Sequence, residues 1–164
     1  MARVDYKYVN PFITSAIQII RNTTDLSVKR KKVYVIDGKK SVGGTGILIA
    51  IDGEITGKVV YEFSRGVTMR LAGRMIEKSM VNFENPDEFK MLLESAILEL
   101  ANLISGHAIT KLHENGLNCT ISPPSLYFGK GINLIDKGKI TIVVDLATLF
   151  GEFKINLAFD SFND

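Results

Sequence analysis

Ser95, Glu99 and Asn102 are polar residues set in a run that is otherwise almost entirely apolar, Glu94 apart, and that extends from Met91-Leu92-Leu93 to Leu103-Ile104. At 3.6 residues per turn, position 99 lies roughly 40° around a helix axis from 95, and position 102 roughly 20° to the other side. The three side chains therefore share one wedge. A carboxylate on so apolar a helix carries a desolvation cost of several kcal/mol unless it is paired, or unless the wedge faces water or a partner. Glutamate brings a charge that pairs with lysine, and asparagine brings an amide that both donates and accepts hydrogen bonds. Neither is a strong nucleophile. No serine-histidine pair, metal-ligand cluster or phosphate loop of the expected spacing accompanies them, so covalent and metal-centred mechanisms lack their residues. Positioning of a water molecule by the amide remains open. Phosphoryl transfer is the class in which that suffices, because placing the attacking water in line and managing charge supply most of the catalysis.

The elements that must hold this wedge follow from the periodicity of the chain. Asn10-Pro11 predicts a first helix with a capping side chain and a proline at the first helical position, running to about Asn22. Alternation then predicts three antiparallel strands through Val33/Val35, Ile47/Ile49/Ile51 and Ile55/Val59/Tyr61/Phe63, with Asp52-Gly53 as a tight turn between the last two. Helical spacing returns from Arg65 to about Met80. Asn85-Pro86-Asp87-Glu88 reads as N-cap to N3 of a long central helix, with Glu88 placed to close a capping box. That helix is expected to reach about Asn115, where Lys111 and His113 complement the dipole and Gly116 takes the left-handed cap, a rod of roughly 40 Å. Beyond it, Leu117 to Ile121 is strand-like, Ser122-Pro123-Pro124-Ser125 breaks the strand, and Leu126 to Phe128 resumes before a turn-rich stretch from Gly129 to Gly138. A last hairpin follows, out through Ile140, Ile142 and Val144 to Leu149 and back from Phe153 to Phe159 around Gly151.

The fold class is therefore α/β (α+β): a pseudo-repeat of a helix plus a three-stranded antiparallel meander, with the long central helix packed on the sheet. Ser15-Ala16-Ile17 and Asn22 stand at the same relative offsets as Ser95-Ala96-Ile97 and Asn102. In the first copy the glutamate position is Ile19, so only the second keeps a full triplet.

At 164 residues the chain is the length of one domain, residues 1–164. Its 20 Lys and Arg against 18 Asp and Glu leave a net charge of +2, too little for a global field that selects nucleic acid or a membrane. Cys119 is the single cysteine and cannot form an internal disulfide, which fits a reducing cytoplasm; burial in a strand is its expected place. The first residues lack a signal-peptide run, and no run of about 18 apolar residues, the length a membrane span needs, is apparent.

The segment Glu99-Leu-Ala-Asn102-Leu-Ile-Ser-Gly106-His107-Ala108, preceded by Ser95, resembles the signature of the CheC/CheX/FliY family of bacterial chemotaxis phosphatases: Asp or Ser, three residues, Glu, two residues, Asn. The element order is compatible with that family along essentially the whole chain. One motif per chain is similar to the CheX type, whereas CheC-type members commonly carry two; Ser105 stands where many relatives have glycine or alanine. The resemblance implies hydrolysis of the aspartyl phosphate of a CheY-type response regulator in the cytoplasm. It implies that Asn102 orients the attacking water, that Glu99 pairs with the receiver's active-site lysine and that Ser95 lies at the edge of the contact. The Mg²⁺ is then the receiver's, and the chain itself need bind no cofactor. Gly106 lies one turn beyond Asn102 on the same wedge. Glycine inside a helix costs about 1 kcal/mol, and its missing side chain leaves room for a partner. The resemblance also implies a homodimer joined through strand edges, which would protect the open edges of two meanders.

Other candidates have simpler readings. His107 and His113 are six residues apart and fall on different faces of the helix. The run Lys29-Arg30-Lys31-Lys32, with Lys39-Lys40, reads as a charged strand edge. Gly43-Gly44-Thr45-Gly46 lacks the lysine and helix context of a phosphate loop and reads as a flexible strand entry. Asp145 is expected to face solvent. Two rivals to the phosphatase stay open: a non-catalytic receiver-binding or flagellar-switch adaptor on the same fold, and an unrelated binding module with a satisfied buried Glu-Asn pair.

Overall fold

A computed structural model describes residues 5–37, 40–135 and 140–162. Its elements run α1 (Tyr6–Thr24), β1 (Lys29–Asp37), β2 (Lys40–Gly53), β3 (Ile55–Phe63), α2 (Arg65–Ser79), α3 (Pro86–Glu114), β4 (Cys119–Ile121), β5 (Ser125–Ile135), β6 (Ile140–Thr148) and β7 (Gly151–Phe162). Three helices and one antiparallel sheet result.

Local chemistry explains most helix ends. Ser64 caps α2 by accepting from the Val67 amide at 3.1 Å, and Met80 ends it in the left-handed region. Asn85 caps α3 by accepting from the Glu88 amide at 2.9 Å, with Pro86 in the first turn. The expected capping box closes one residue early, because the Glu88 carboxylate accepts from the Glu84 amide rather than from that of Asn85. The start of α1 differs more. Asp5 is the cap, accepting from the Lys7 amide at 3.0 Å, and Pro11 lies inside the helix rather than at its first position. The carbonyl that loses its donor to Pro11 belongs to Lys7, in the exposed early turns where water can replace the bond.

The sheet order is β1-β6-β7-β3-β2-β4, with β5 also pairing β2 beyond β4. The hairpins β2-β3 and β6-β7 lie side by side through β3 and β7, with Val59 opposite Leu157. The first strand of each half does not join its own hairpin. β1 pairs β6, and β5 pairs β2, so each half lends a strand to the other. The resulting order β1-β6-β7-β3-β2-β5 reads the same when the two halves are interchanged. The pseudo-repeat is present, but exchange replaces the two self-contained meanders.

Two segments read as irregular belong to strands. Gly129, expected to open a turn-rich stretch, continues β5, which runs to Ile135; residues 136–139 of that stretch lie outside those described. Gly43 to Gly46 are inside β2, not at its entry. Gly44 pairs Gly129 at a register shift, both with positive φ (76° and 141°), so the two glycines absorb a bulge that a Cβ would not tolerate. At Gly44 a Cβ would lie 2.5 Å from the Phe63 carbonyl oxygen.

All three helices contribute to one core against the sheet, through Phe12, Ala16 and Ile20 of α1, Leu71 of α2, and Leu100 and Ile104 of α3, packed over Ile49, Val59 and Leu157. Each such large buried side chain contributes roughly 1.5–3 kcal/mol. Val42, Val60 and Ala158 form a smaller cluster, Val60 alternating along β3 with Val59 and Tyr61 and so belonging to the opposite pleat. There Asp145, expected to face solvent, is mostly covered and paired with Lys154 at 2.6 Å. Lys29 to Lys32 are exposed on edge strand β1, as expected of a charged edge, while Lys39 lies outside the described residues. Cys119 is buried in β4.

The length and composition of α3 are sufficient for a membrane crossing, although no such run was expected. Its apolar residues have another use. From Ile97 to Leu112 it buries one face against α1, α2, β2 and β4, as a core helix does.

Candidate functional site

Before Ile97, α3 has no fully buried residue, and of that stretch only Leu93 and Ala96 pack against the core. From Ile97 onward Leu100, Ala101, Ile104, Ser105 and Ala108 turn inward, and this sets the rotation of the helix. The opposite wedge looks out. Ser95 and Glu99 are exposed, and Asn102 and Gly106 are half-buried. All four expected site residues are thus brought to one side of one helix. Ser95, Glu99 and Asn102 have no hydrogen bond or ion pair with another described side chain, and the buried, internally satisfied Glu-Asn pair is ruled out by this exposure.

Neighbouring polar groups of α3 are, by contrast, tied down. Ser105 is buried and shares a 2.7 Å hydrogen bond with the Tyr61 hydroxyl, whose pKa is pushed far up by burial. His107 Nδ1 lies 3.2 Å from the hydroxyl of buried Ser15 on α1. His113 Nε2 lies 2.7 Å from the Cys119 carbonyl oxygen, joining the end of α3 to β4 beyond any role with the dipole. The two histidines go to different elements, and among the described residues no three His, Cys, Asp or Glu side chains converge. Burial, with the nearby Glu54 carboxylate, pushes the Cys119 thiol up, away from the reactive thiolate.

The wedge is not in a cleft. A groove of about 730 Å³ runs along the other flank of α3, between Phe89, Leu93 and Ile97, Met69 of α2 and Phe128 of β5. A wedge open to solvent cannot by itself exclude water or hold a small substrate. What it can do is enter another protein's site, presenting one carboxylate, one free amide and a position without a side chain. At Gly106 a Cβ would meet nothing within 4 Å, so the fold itself does not require the glycine.

The apolar neighbours of the wedge escaped the sequence reading. Met91 is 68 % exposed, and Leu92 and Leu103 are half-buried without joining the core that Leu93, Ala96 and Leu98 pack against. Their signal was present in the spacing: Leu92 and Leu103 are 11 residues apart, which returns a helix to nearly the same side.

Comparison with known proteins identifies the family and the fold. Residues 45–146 match the family model of the chemotaxis phosphatase CheX, more than half of the chain. A curated relative, the CheY-P phosphatase CheX of Thermotoga maritima, is 26% identical over 137 residues, covering 84% of this chain and 85% of the relative. The crystal structure of a chemotaxis protein CheX from Desulfovibrio desulfuricans superposes with a TM-score of 0.79 at 20% identity, over 93% of this chain and 99% of that one. A structure of the CheX-CheY-BeF3-Mg²⁺ complex from Borrelia burgdorferi superposes with a TM-score of 0.76 at 21% identity, over 97% and 100%.

Proposed function

The chain belongs to the chemotaxis phosphatase CheX family, and on that premise we propose that it hydrolyses the aspartyl phosphate of a phosphorylated CheY-type response regulator. The observation that carries the reading is the free, outward Glu99-Asn102 pair, set on α3 away from the groove along its other flank. Such a pair is chemically complete only when a partner supplies the phosphoryl group and closes the site around it.

In this reading α3 lies across the receiver's phosphorylation site. Glu99 pairs with the receiver's active-site lysine and fixes the register of docking, as a charge-assisted contact does. Asn102 then reaches the phosphoryl group, its side-chain oxygen accepting a hydrogen bond from the attacking water. The water oxygen attacks phosphorus in line as the bond from phosphorus to the aspartate oxygen breaks, leaving aspartate carboxylate and inorganic phosphate. The amide neither takes nor gives a proton; it contributes orientation. Ser95 sits at the edge of the contact, and Gly106 lets the receiver's backbone approach. The Mg²⁺ would be the receiver's and would offset the charge of the phosphoryl group there, so this chain itself need bind no cofactor. The same reading makes the protein soluble and cytoplasmic, where receivers reside, and a homodimer through strand edges, with no role for nucleic acid or membrane insertion.

The test follows the decay of a phosphorylated CheY-type receiver with Mg²⁺, alone, with this protein, and with its Asn102→Ala variant. Accelerated decay that the variant loses while still binding is the expected result. Binding without acceleration by the unaltered protein would replace the phosphatase by a receiver-binding adaptor.

A further inference from the structure

The polar wedge is bracketed by side chains that the fold does not use. Met91 and Leu92 precede Ser95 by one turn, and Leu103 follows Glu99 by one turn. Side chains on a helix lean toward its N-terminus, so Leu103 is directed over the turn that carries Glu99. None of the three is needed by the core: Met91 is 68 % exposed, and Leu92 and Leu103 stand apart from the cluster that holds Leu93, Ala96 and Leu98. Between Leu92 and Thr110 the outward wedge carries one charged side chain, Glu99, and His107 at its margin is engaged with Ser15. A lone carboxylate framed by apolar groups complements a partner face that presents a lone cation framed the same way.

From this arrangement we infer that Met91, Leu92 and Leu103 form an apolar collar around the docking wedge, Leu103 covering Glu99 and the lysine it meets, and Met91 and Leu92, two turns before Glu99, closing the far end beyond Ser95, so that water is excluded when the receiver docks. The occupant is the phosphorylated receiver, and the inference rests on the reading above. An ion pair shielded by surrounding apolar contacts is worth far more than the same pair in water, and energetically plain neighbours that exclude water are what make a central residue decisive. The collar therefore governs affinity, whereas Asn102 governs turnover. Removing it rehydrates the pair and leaves it exposed to salt screening.

The experiment uses the full chain and a CheY-type receiver carrying beryllofluoride and Mg²⁺ as a stable phosphoryl mimic. Binding is measured from low to high salt for the unaltered protein, Leu103→Ala and Met91→Ala/Leu92→Ala, beside single-turnover dephosphorylation at saturating enzyme. Leu103→Ala is expected to weaken binding about tenfold and to steepen its salt dependence, with the saturated rate within about threefold of the parent. The Met91/Leu92 pair should do the same to a smaller degree. A merely structural role would lower the melting temperature and leave the salt slope unchanged. Unchanged affinity and salt slope in both variants would overturn the collar while leaving the phosphatase intact; loss of the phosphatase itself would show instead as an Asn102→Ala variant as active as the parent.

Discussion

Helices α1 and α3 carry the same Ser, Ala, Ile and Asn at the same offsets, and the fold treats them in opposite ways. On α3 the wedge from Ser95 to Gly106 looks outward without side-chain partners. On α1 the equivalent serine, Ser15, is buried against His107, and Ile19, in the place of Glu99, packs on the core. Asn22 is exposed but stands at the end of the helix, where its carbonyl accepts from Lys78 at 2.7 Å. Spacing puts residues on a wedge; the rotation of the helix against its neighbours decides whether the wedge becomes a site. The contact between Ser15 and His107 means that α1 gives up its own stripe in supporting the helix that keeps one.

The difference can be tested from both sides. Asn102→Ala should reduce receiver dephosphorylation by roughly a hundredfold or more, the scale of losing one positioning hydrogen-bond group, with an unchanged melting temperature. Asn22→Ala should alter neither. Ile19→Glu restores the missing carboxylate to α1 yet should create no second activity. It should instead destabilise the protein by about 2 kcal/mol, because it places a charge against the core, as read by urea unfolding. Ser15→Ala should cost about 1 kcal/mol by leaving His107 without its partner, while Ser95→Ala costs nothing measurable in stability. Gly106→Ala should move two readouts in opposite directions. The new Cβ has open space, so the helix gains up to about 1 kcal/mol, and receiver affinity falls.

The smallest effect concerns the anchor of α1. The hydrogen bond from Lys78 to Asp25, at 2.7 Å, holds the Asp25 carboxyl below its ordinary value of 3.8. Because the folded value is the lower one, this contribution is present above about pH 4 and fades as pH falls through the folded value. Both groups are largely exposed, so Asp25→Asn should remove only a slight slope from unfolding midpoints measured between pH 3 and 5.

Features that depend on neighbours in sequence were legible. Asn85-Pro86 marks the start of α3 because capping is settled within three residues. The wedge itself was readable because it needs only the helical repeat. Its exposure was not, since periodicity groups residues without saying which group the rest of the chain will cover. The strand exchange was equally hidden: nothing local in Val33 to Ile36 distinguishes β2 from β6 as a partner. Gly129 misled because glycine punctuates turns more often than strands, and only its opposite number Gly44 reveals the bulge. The proline at position 11 misled for a related reason, as a residue favoured at helix starts is tolerated a little further in when the orphaned carbonyl can reach water.

The exchanged strands also set a timetable. Lys29 pairs with Ala147, so β1 has no strand neighbour until β6 has been made, and β2, though paired early with β3, gains its other edge partners only with β4 and β5. Contacts so distant along the chain slow folding, because the loops between them must be closed before any pairing repays the lost entropy. Neither half can finish alone. The wedge of α3 gets its rotation from a core to which both halves contribute, so a chain lacking β6 and β7 would present the motif without a scaffold to aim it.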